Sequence, residues 1–242
     1  MSKKISLKQY LMKTGKFAKV SDAVAAIKEC MVTLNGKTIT IPNYFFNPDK
    51  ELVKYNDEKV RRVPKLYFLM NKPAGYVCQK SEKEKTVYEL LKGKVDDGVL
   101  QSLFAVGRLD KDTEGLLIIT NDGKFAEMIM HPDHEITKKY YAVLDRNVDP
   151  RKIRAMERGV VIEIEDGEYK TMPARIKIVN DKEVYISLRE GKKRQIKRMF
   201  EAVGNNVVYL KRVSIAGISL GSLALGEIKP ITREELMQLL EL

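Results

Sequence analysis

The sequence predicts an α+β fold in two parts: a small helical and hairpin unit at residues 1–58, and a larger unit at residues 65–242. The larger unit is expected to hold a mixed, largely antiparallel sheet flanked by helices, with residues 59–64 as the linker. Three observations predict this. Helical and strand-like patterns follow one another without the regular alternation that a parallel βαβ sheet requires. Charge is divided unevenly, with 14 Lys/Arg against 6 Asp/Glu in residues 1–65 and 30 against 27 in the remainder. A charge-rich stretch from Lys59 to Lys65, containing Pro64, separates the two.

In the first part, Leu7, Tyr10 and Leu11 fall at i, i+3 and i+4 on a short helix that Gly15 can close. Ser21 is suited to cap a second helix with Ala23, Ala26, Ile27 and Cys30 on its inner side. Val32–Leu34, Asn35-Gly36 and Lys37–Ile39 then spell a strand, a tight turn and a returning strand, because Asn-Gly tolerates the positive φ of a hairpin turn. A further short strand is expected near Leu52-Val53.

In the second part, Tyr67–Met70 reads as a strand that runs into the turn Asn71-Lys72-Pro73-Ala74-Gly75. Leu116–Thr120 reads as a buried strand ending at Asn121-Asp122-Gly123. A helix follows over Lys124–Met130 and stops at His131-Pro132, since proline cannot continue it. Lys139–Leu144 and Val184–Leu188 are further strands. Ile196, Met199, Phe200 and Val203 share one face of a helix that Gly204 terminates, with Lys192, Lys193 and Arg194 at its start.

Bulk properties narrow the functional classes. No apolar run reaches the ~20 residues of a membrane span. Cys30 and Cys78 are the only cysteines and lie in no metal-ligand spacing, which suits a reducing, cytoplasmic setting without a disulfide or zinc site. The net charge of +11 favours a polyanionic partner. No long apolar stripe is left unused, so a monomer is expected.

The chemistry centres on Gly107–Thr120. A carboxylate on a short loop braced by a strand, as at Asp110, presents a rigid nucleophile or acid/base. The local pattern equally allows Asp110, Asp112 and Thr113 to cap a turn. Asp110 and Asp112 could hold Mg²⁺ in a nuclease, but no phosphate-cradling Gly-rich loop with Lys-Ser/Thr accompanies them. Lys192–Arg194 oppose the helix dipole, so a carboxylate or RNA phosphates nearby would explain them. Lys138-Lys139-Tyr140-Tyr141 opens a strand whose alternation sends one tyrosine to the core and the other toward a cleft, where it can stack on a base.

Four segments together resemble the pseudouridine synthases of the Rsu subfamily, which modify ribosomal RNA. They are Asn71–Gly75, Gly107-Arg108-Leu109-Asp110 through Leu117, Lys138-x-Tyr140, and Glu190-Gly191-Lys192 through Arg198. The first part resembles the small RNA-binding domain named after ribosomal protein S-four, with Lys8, Lys16, Lys19 and Lys28 as its RNA contacts. The resemblance implies that Asp110 is the catalytic aspartate and that Tyr140 packs on the target base. It implies a basic partner for Asp110 at Lys192, with Lys193 and Arg194 as neighbouring alternatives. Arg108, Lys193, Arg194, Lys197 and Arg198 would then contact RNA, and Ile186 and Leu188 would pack near the site. The family needs no metal, nucleotide or redox cofactor. The implied partner is ribosomal RNA or a ribosomal assembly particle. Met199–Val208 and Ile215–Leu220 look most like the member acting on small-subunit RNA, and large-subunit members share the core motifs. A non-catalytic RNA-binding or assembly protein on the same fold is the competing class, in which Asp110 would be dispensable.

Overall fold

The computed structural model describes residues 4–17 and 19–240 (Pro132 by its backbone alone). By internal packing the chain forms two units, Met1–Lys65 with Leu91–Leu103, and Leu66–Leu90 with Phe104–Leu242.

The first unit contains β1 (Ile5–Ser6), α1 (Leu7–Met12), α2 (Val20–Lys28), β2 (Val32–Leu34), β3 (Lys37–Thr38), β4 (Phe45–Phe46), β5 (Val53–Tyr55), β6 (Glu58–Lys59) and α3 (Asp97–Ser102). Leu7, Tyr10 and Leu11 of α1 pack on Ala23, Ala26 and Ile27 of α2, and Val32, Leu34 and Val53 of the sheet close this core. Asn35 and Gly36 both take positive φ, 49° and 80°, as the hairpin turn between β2 and β3 demands. The sheet runs β3-β2-β5-β6.

Three details depart from the sequence reading. Helix α2 is capped at Lys19 rather than Ser21. Cys30 is exposed instead of facing the core, because the chain leaves the helix there in the left-handed conformation, φ 62°. Residues 59–64 are not a free linker at their start: Lys59 lies in β6, Val60 is buried, and Val63 N–H donates to the Lys13 carbonyl.

The second unit contains β7 (Tyr67–Lys72), β8 (Phe104–Val106), β9 (Glu114–Thr120), α4 (Gly123–Met130), β10 (Lys138–Leu144), α5 (Pro150–Glu157), β11 (Val161–Ile164), β12 (Gly167–Lys170), β13 (Arg175–Ile178), β14 (Glu183–Leu188), α6 (Gln195–Ala202), β15 (Val207–Ile215), β16 (Ile218–Ser219), β17 (Ile228–Pro230) and α7 (Arg233–Leu240). Its main sheet runs β13-β14-β10-β15-β9-β7-β17, with β16 on β15 and β8 on β9. Every pairing in it is antiparallel except β15–β9. This is an α+β fold with a mixed, largely antiparallel sheet.

Two apolar cores form on opposite faces of that sheet. Ile153 and Met156 of α5, with Ile196, Met199 and Phe200 of α6, pack on Ala142, Val184, Ile186 and Leu210. Phe125 and Ile129 of α4, with Leu236 and Leu240 of α7, pack on Leu69, Leu116 and Ile118. The register places Arg212, on the Leu210 face of β15, beside Gly115, so Leu116 and Ile118 point the other way. Among the described residues no helix is long and apolar enough to cross a membrane.

Candidate active site

Asp110 lies on the loop between β8 and β9. That loop reverses at Gly107, φ 65°, and closes through a Thr113 N–H to Asp110 carbonyl bond of 3.1 Å. The chain between is too short to fix itself, and three buried side chains hold it. Lys72, at the end of β7 and fully buried, donates its ammonium to the carbonyls of Pro73, Asp110, Lys111 and Thr113 at 3.0, 3.1, 3.3 and 2.8 Å. Arg212, 1% exposed on β15, donates Nε to the Leu116 carbonyl and Nη2 to the Gly107 carbonyl, each at 2.7 Å. The buried Cys78 thiol accepts from Leu109 N–H at 3.3 Å and donates to the Leu109 carbonyl at 3.4 Å.

These contacts stiffen the backbone and leave the side chain of Asp110 free. Its carboxylate is half-buried and, among the described residues, has no hydrogen bond or ion pair. Burial pushes the Lys72 ammonium below its ordinary range, while the Cys78 thiol and the nearby Asp112, Glu114 and Asp110 carboxylates act against that shift. Burial likewise pushes the Cys78 thiol up, against the Leu109 bond and the Lys72, Arg212 and Arg108 charges.

Tyr140 enters from β10. It stands opposite Ile186 of β14 and Arg212 of β15, at a register shift between Lys139 and Tyr140. Arg212 in turn pairs with Gly115 of β9. One buried arginine thereby joins the strand of Tyr140 to both ends of the Asp110 loop. A Cβ on Gly115 would lie 2.2 Å from the Arg212 carbonyl oxygen, so only glycine lets β9 approach β15 here. Tyr140 packs half-buried against the α5/α6 core beside the buried Ile186 and Leu188, and Tyr141 points to the other face.

The basic stretch sits differently from the sequence reading. Helix α6 starts at Gln195, and Arg194 caps it in the left-handed conformation, φ 55°, so the cations from Lys192 to Arg194 diverge. Lys192 Nζ lies 4.6 Å over the Tyr169 ring, Lys193 pairs with Glu165, and Arg194 lies 3.8 Å from Asp112. The expected ion pair of Lys192 with Asp110 therefore does not form. Lys197, expected among the RNA contacts, is buried and pairs with Asp112, two residues beyond Asp110. Burial opposes ionisation of Asp112, but the Lys197 bond and the Lys197 and Arg194 charges outweigh it and hold the carboxyl below its ordinary range. Arg198 is half-buried, with Nη1 enclosed and lacking a hydrogen bond. Arg108 is exposed beside Asp110.

In the first unit, Lys16, Lys19 and Lys28 are exposed and Lys8 is half-buried; Lys16 reaches Glu58 at 3.8 Å. Among the described residues no group of three or more His, Cys, Asp or Glu is placed to hold a metal ion.

The bracing roles of Lys72, Arg212 and Cys78 do not follow from the sequence pattern, although Lys72 lies within a motif segment. A signal exists for Arg212: it shares the inward register of β15 with Leu210, where an arginine is costly unless bonded.

A half-buried loop carboxylate on a mixed sheet, its backbone braced by Lys72, Arg212 and Cys78, is placed as a nucleophile or an acid/base would be. The model of the family described as RNA pseudouridylate synthase matches residues 66–202, which contain Asp110, Tyr140 and α6. The chain belongs to that family, in its Rsu subfamily. It is 36% identical over 222 residues to ribosomal large subunit pseudouridine synthase B of Bacillus subtilis, covering 88% of this chain and 86% of that protein. It is 34% identical over 221 residues to ribosomal small subunit pseudouridine synthase A of Escherichia coli, covering 90% and 93%. A solved pseudouridylate synthase superposes with a TM-score of 0.68 at 30% identity, covering 97% of this chain and 99% of that one.

Proposed function

We propose that this protein isomerises one uridine of small-subunit ribosomal RNA to pseudouridine, with Asp110 as the reacting carboxylate and Tyr140 against the target base. The observation that carries the reading is the bracing of the Asp110 loop by Lys72, Arg212 and Cys78, which fixes the backbone and spares the carboxylate.

The uridine must first leave its stack, at a cost of a few kcal/mol that is lowest in unpaired RNA. Exposed Arg108 next to Asp110 is suited to hold the flipped strand by its phosphates. Asp110 then acts at the ribose. In one route its oxygen bonds to C1′ as the C1′–N1 bond breaks. In the other it removes the C2′ proton as the C1′–N1 bond breaks, and a glycal forms. The freed uracil turns and its C5 bonds to C1′, as the Asp110–C1′ bond breaks on the first route or as Asp110 returns the proton to C2′ on the second. The C5 proton is then lost, and Tyr140 against the base is the group proposed to assist that loss. Lys193, Arg194 and Arg198 supply positive charge around the cleft, and Asp112 ties Lys197 and Arg194 to the same loop. Lys8, Lys16, Lys19 and Lys28 dock RNA on the first unit, and the protein works as a cytoplasmic monomer without cofactor.

Small-subunit RNA is favoured by the resemblance of Met199–Val208. The 36% identity to the Bacillus subtilis enzyme supports large-subunit RNA as the second reading. The test is incubation with unmodified 16S and 23S transcripts in EDTA, followed by carbodiimide mapping, with assembly-intermediate particles as further substrates. A single new site in 16S supports the proposal; a site in 23S alone replaces it by the second reading.

A further inference from the structure

Helices α5 and α6 cover the β13-β14-β10-β15 part of the main sheet on the Tyr140 face. On the other face, α4 and α7 pack over β7 and β9. Among the described residues no helix covers the β13–β15 part on that side. What lies there is an aromatic and basic array.

Tyr141, Tyr185 and Tyr209 form its middle, with ring centroids 5.5 Å apart for Tyr141 and Tyr185 and 6.2 Å for Tyr141 and Tyr209. Cations flank them in register. Lys211 is opposite Tyr141, Lys177 is opposite Tyr185, and Arg175 and Lys139 are both opposite Ser187. Lys139 Nζ lies 4.6 Å over the Tyr185 ring. Among the described residues Arg175, Lys177 and Lys211 have no ion pair. Two carboxylates share the face: Glu114 accepts from the Tyr209 hydroxyl at 2.7 Å, and Glu183 lies at the Tyr141 hydroxyl. Glu114 also stands opposite Lys211 in the β9–β15 register, while Lys139, Arg175 and Lys177 are exposed.

Four cations beside two carboxylates leave the face with net positive charge, which a polyanion neutralises. Tyrosine rings held between them offer faces on which bases of any identity can stack. Adjacent strands are about 4.8 Å apart, so the cations from β13 to β15 span roughly 14 Å, a matched track for a backbone of phosphates. We propose that this face is a second RNA-binding surface, on the side of the sheet opposite Tyr140. It takes a single-stranded RNA segment, with phosphates on Arg175, Lys177, Lys139 and Lys211 and bases on the tyrosines.

The test uses the full chain and a single-stranded dodecamer of 5-bromouridine, with binding read apart from isomerisation. Irradiation followed by peptide mass spectrometry is expected to place cross-links on Tyr141, Tyr185 or Tyr209. In fluorescence anisotropy, a Lys177→Gln/Lys211→Gln variant is expected to flatten the slope of log affinity against log salt by about 1.4, at about 0.7 per phosphate for single strands. Tyr185→Leu, which keeps apolar bulk, is expected to weaken binding about fivefold or more. Cross-links on none of the three tyrosines, or an unchanged slope in the double variant, overturns the proposal. Because Asp110→Asn is expected to bind the dodecamer as the unaltered protein does, failure of the isomerase reading and failure of this one are separately visible.

Discussion

Arg212 faces Tyr140 across the β10–β15 pairing, and its guanidinium reaches on to the carbonyls at both ends of the Asp110 loop. This one side chain ties the two expected active-site elements together directly. The buried guanidinium is satisfied by carbonyls, and among the described residues it has no carboxylate partner, so it sets a positive charge behind the loop. Arg212→Met removes both bonds and leaves the Gly107 and Leu116 carbonyls unpaired. The expected cost is about 3 kcal/mol in urea unfolding, with kcat falling more than KM rises. Arg212→Lys cannot serve both carbonyls at once and should recover only part of the loss.

Lys72 braces the same loop from the β7 side. Lys72→Met is expected to lower stability by about 2–4 kcal/mol, since four carbonyls lose a shared donor in a dry site. Chemical denaturation of the two proteins at neutral pH measures it. The ammonium's pKa is depressed on folding, so the folded state releases the proton first. Stability of the unaltered protein should therefore gain, relative to Lys72→Met, as pH rises from the depressed value toward the ordinary 10.5.

Asp112 gives an acid-side counterpart. Its folded pKa lies below 3.8, so its contribution is present above 3.8 and is lost as pH falls through the lower folded value. Asp112→Asn should be less stable than the unaltered protein at neutral pH, because Lys197 stays buried without its anion. The difference should vanish in melts recorded below the folded pKa. A gap that persisted there would show that the ion pair is not the cause.

Gly115→Ala tests the approach of β9 to β15. The added methyl would meet the Arg212 backbone at φ 105°, a region that other residues avoid. A loss of several kcal/mol is expected, on the order of 3 or more, read as a drop in melting temperature.

The first unit's lysines carry a salt-dependence prediction. Replacing Lys8, Lys19 and Lys28 by glutamine should weaken binding of a ribosomal transcript and flatten its salt slope by about 0.7–0.9 for each phosphate no longer neutralised. An unchanged slope in filter binding assigns the docking elsewhere.

Much of the fold is legible in the sequence because period carries it. Leu7, Tyr10 and Leu11, the Asn35-Gly36 turn, and the β10 and β14 strands all follow from local pattern. Boundaries are less so: Arg194 takes a left-handed cap that holds Lys192 and Lys193 outside α6, and no propensity marks that choice. The bracing of the site is hidden for a different reason. Lys197 meets Asp112 across 85 positions and Arg212 meets Gly107 across 105, and such pairings exist only once the sheet has assembled. Motif position points to Lys192 as the partner of Asp110, yet the Tyr169 ring of the β11–β12 hairpin takes its ammonium.

Asp110 stands at the centre of the proposed chemistry, as the group that drives isomerisation of a uridine in ribosomal RNA. Release of tritium from ribosomal RNA transcripts labelled at uridine C5 measures this most directly, because forming pseudouridine expels that hydrogen. With EDTA present, the unaltered protein is expected to release one tritium per RNA, and Asp110→Asn to release none while binding the RNA as tightly. Equal release by both proteins would contradict a catalytic role for Asp110.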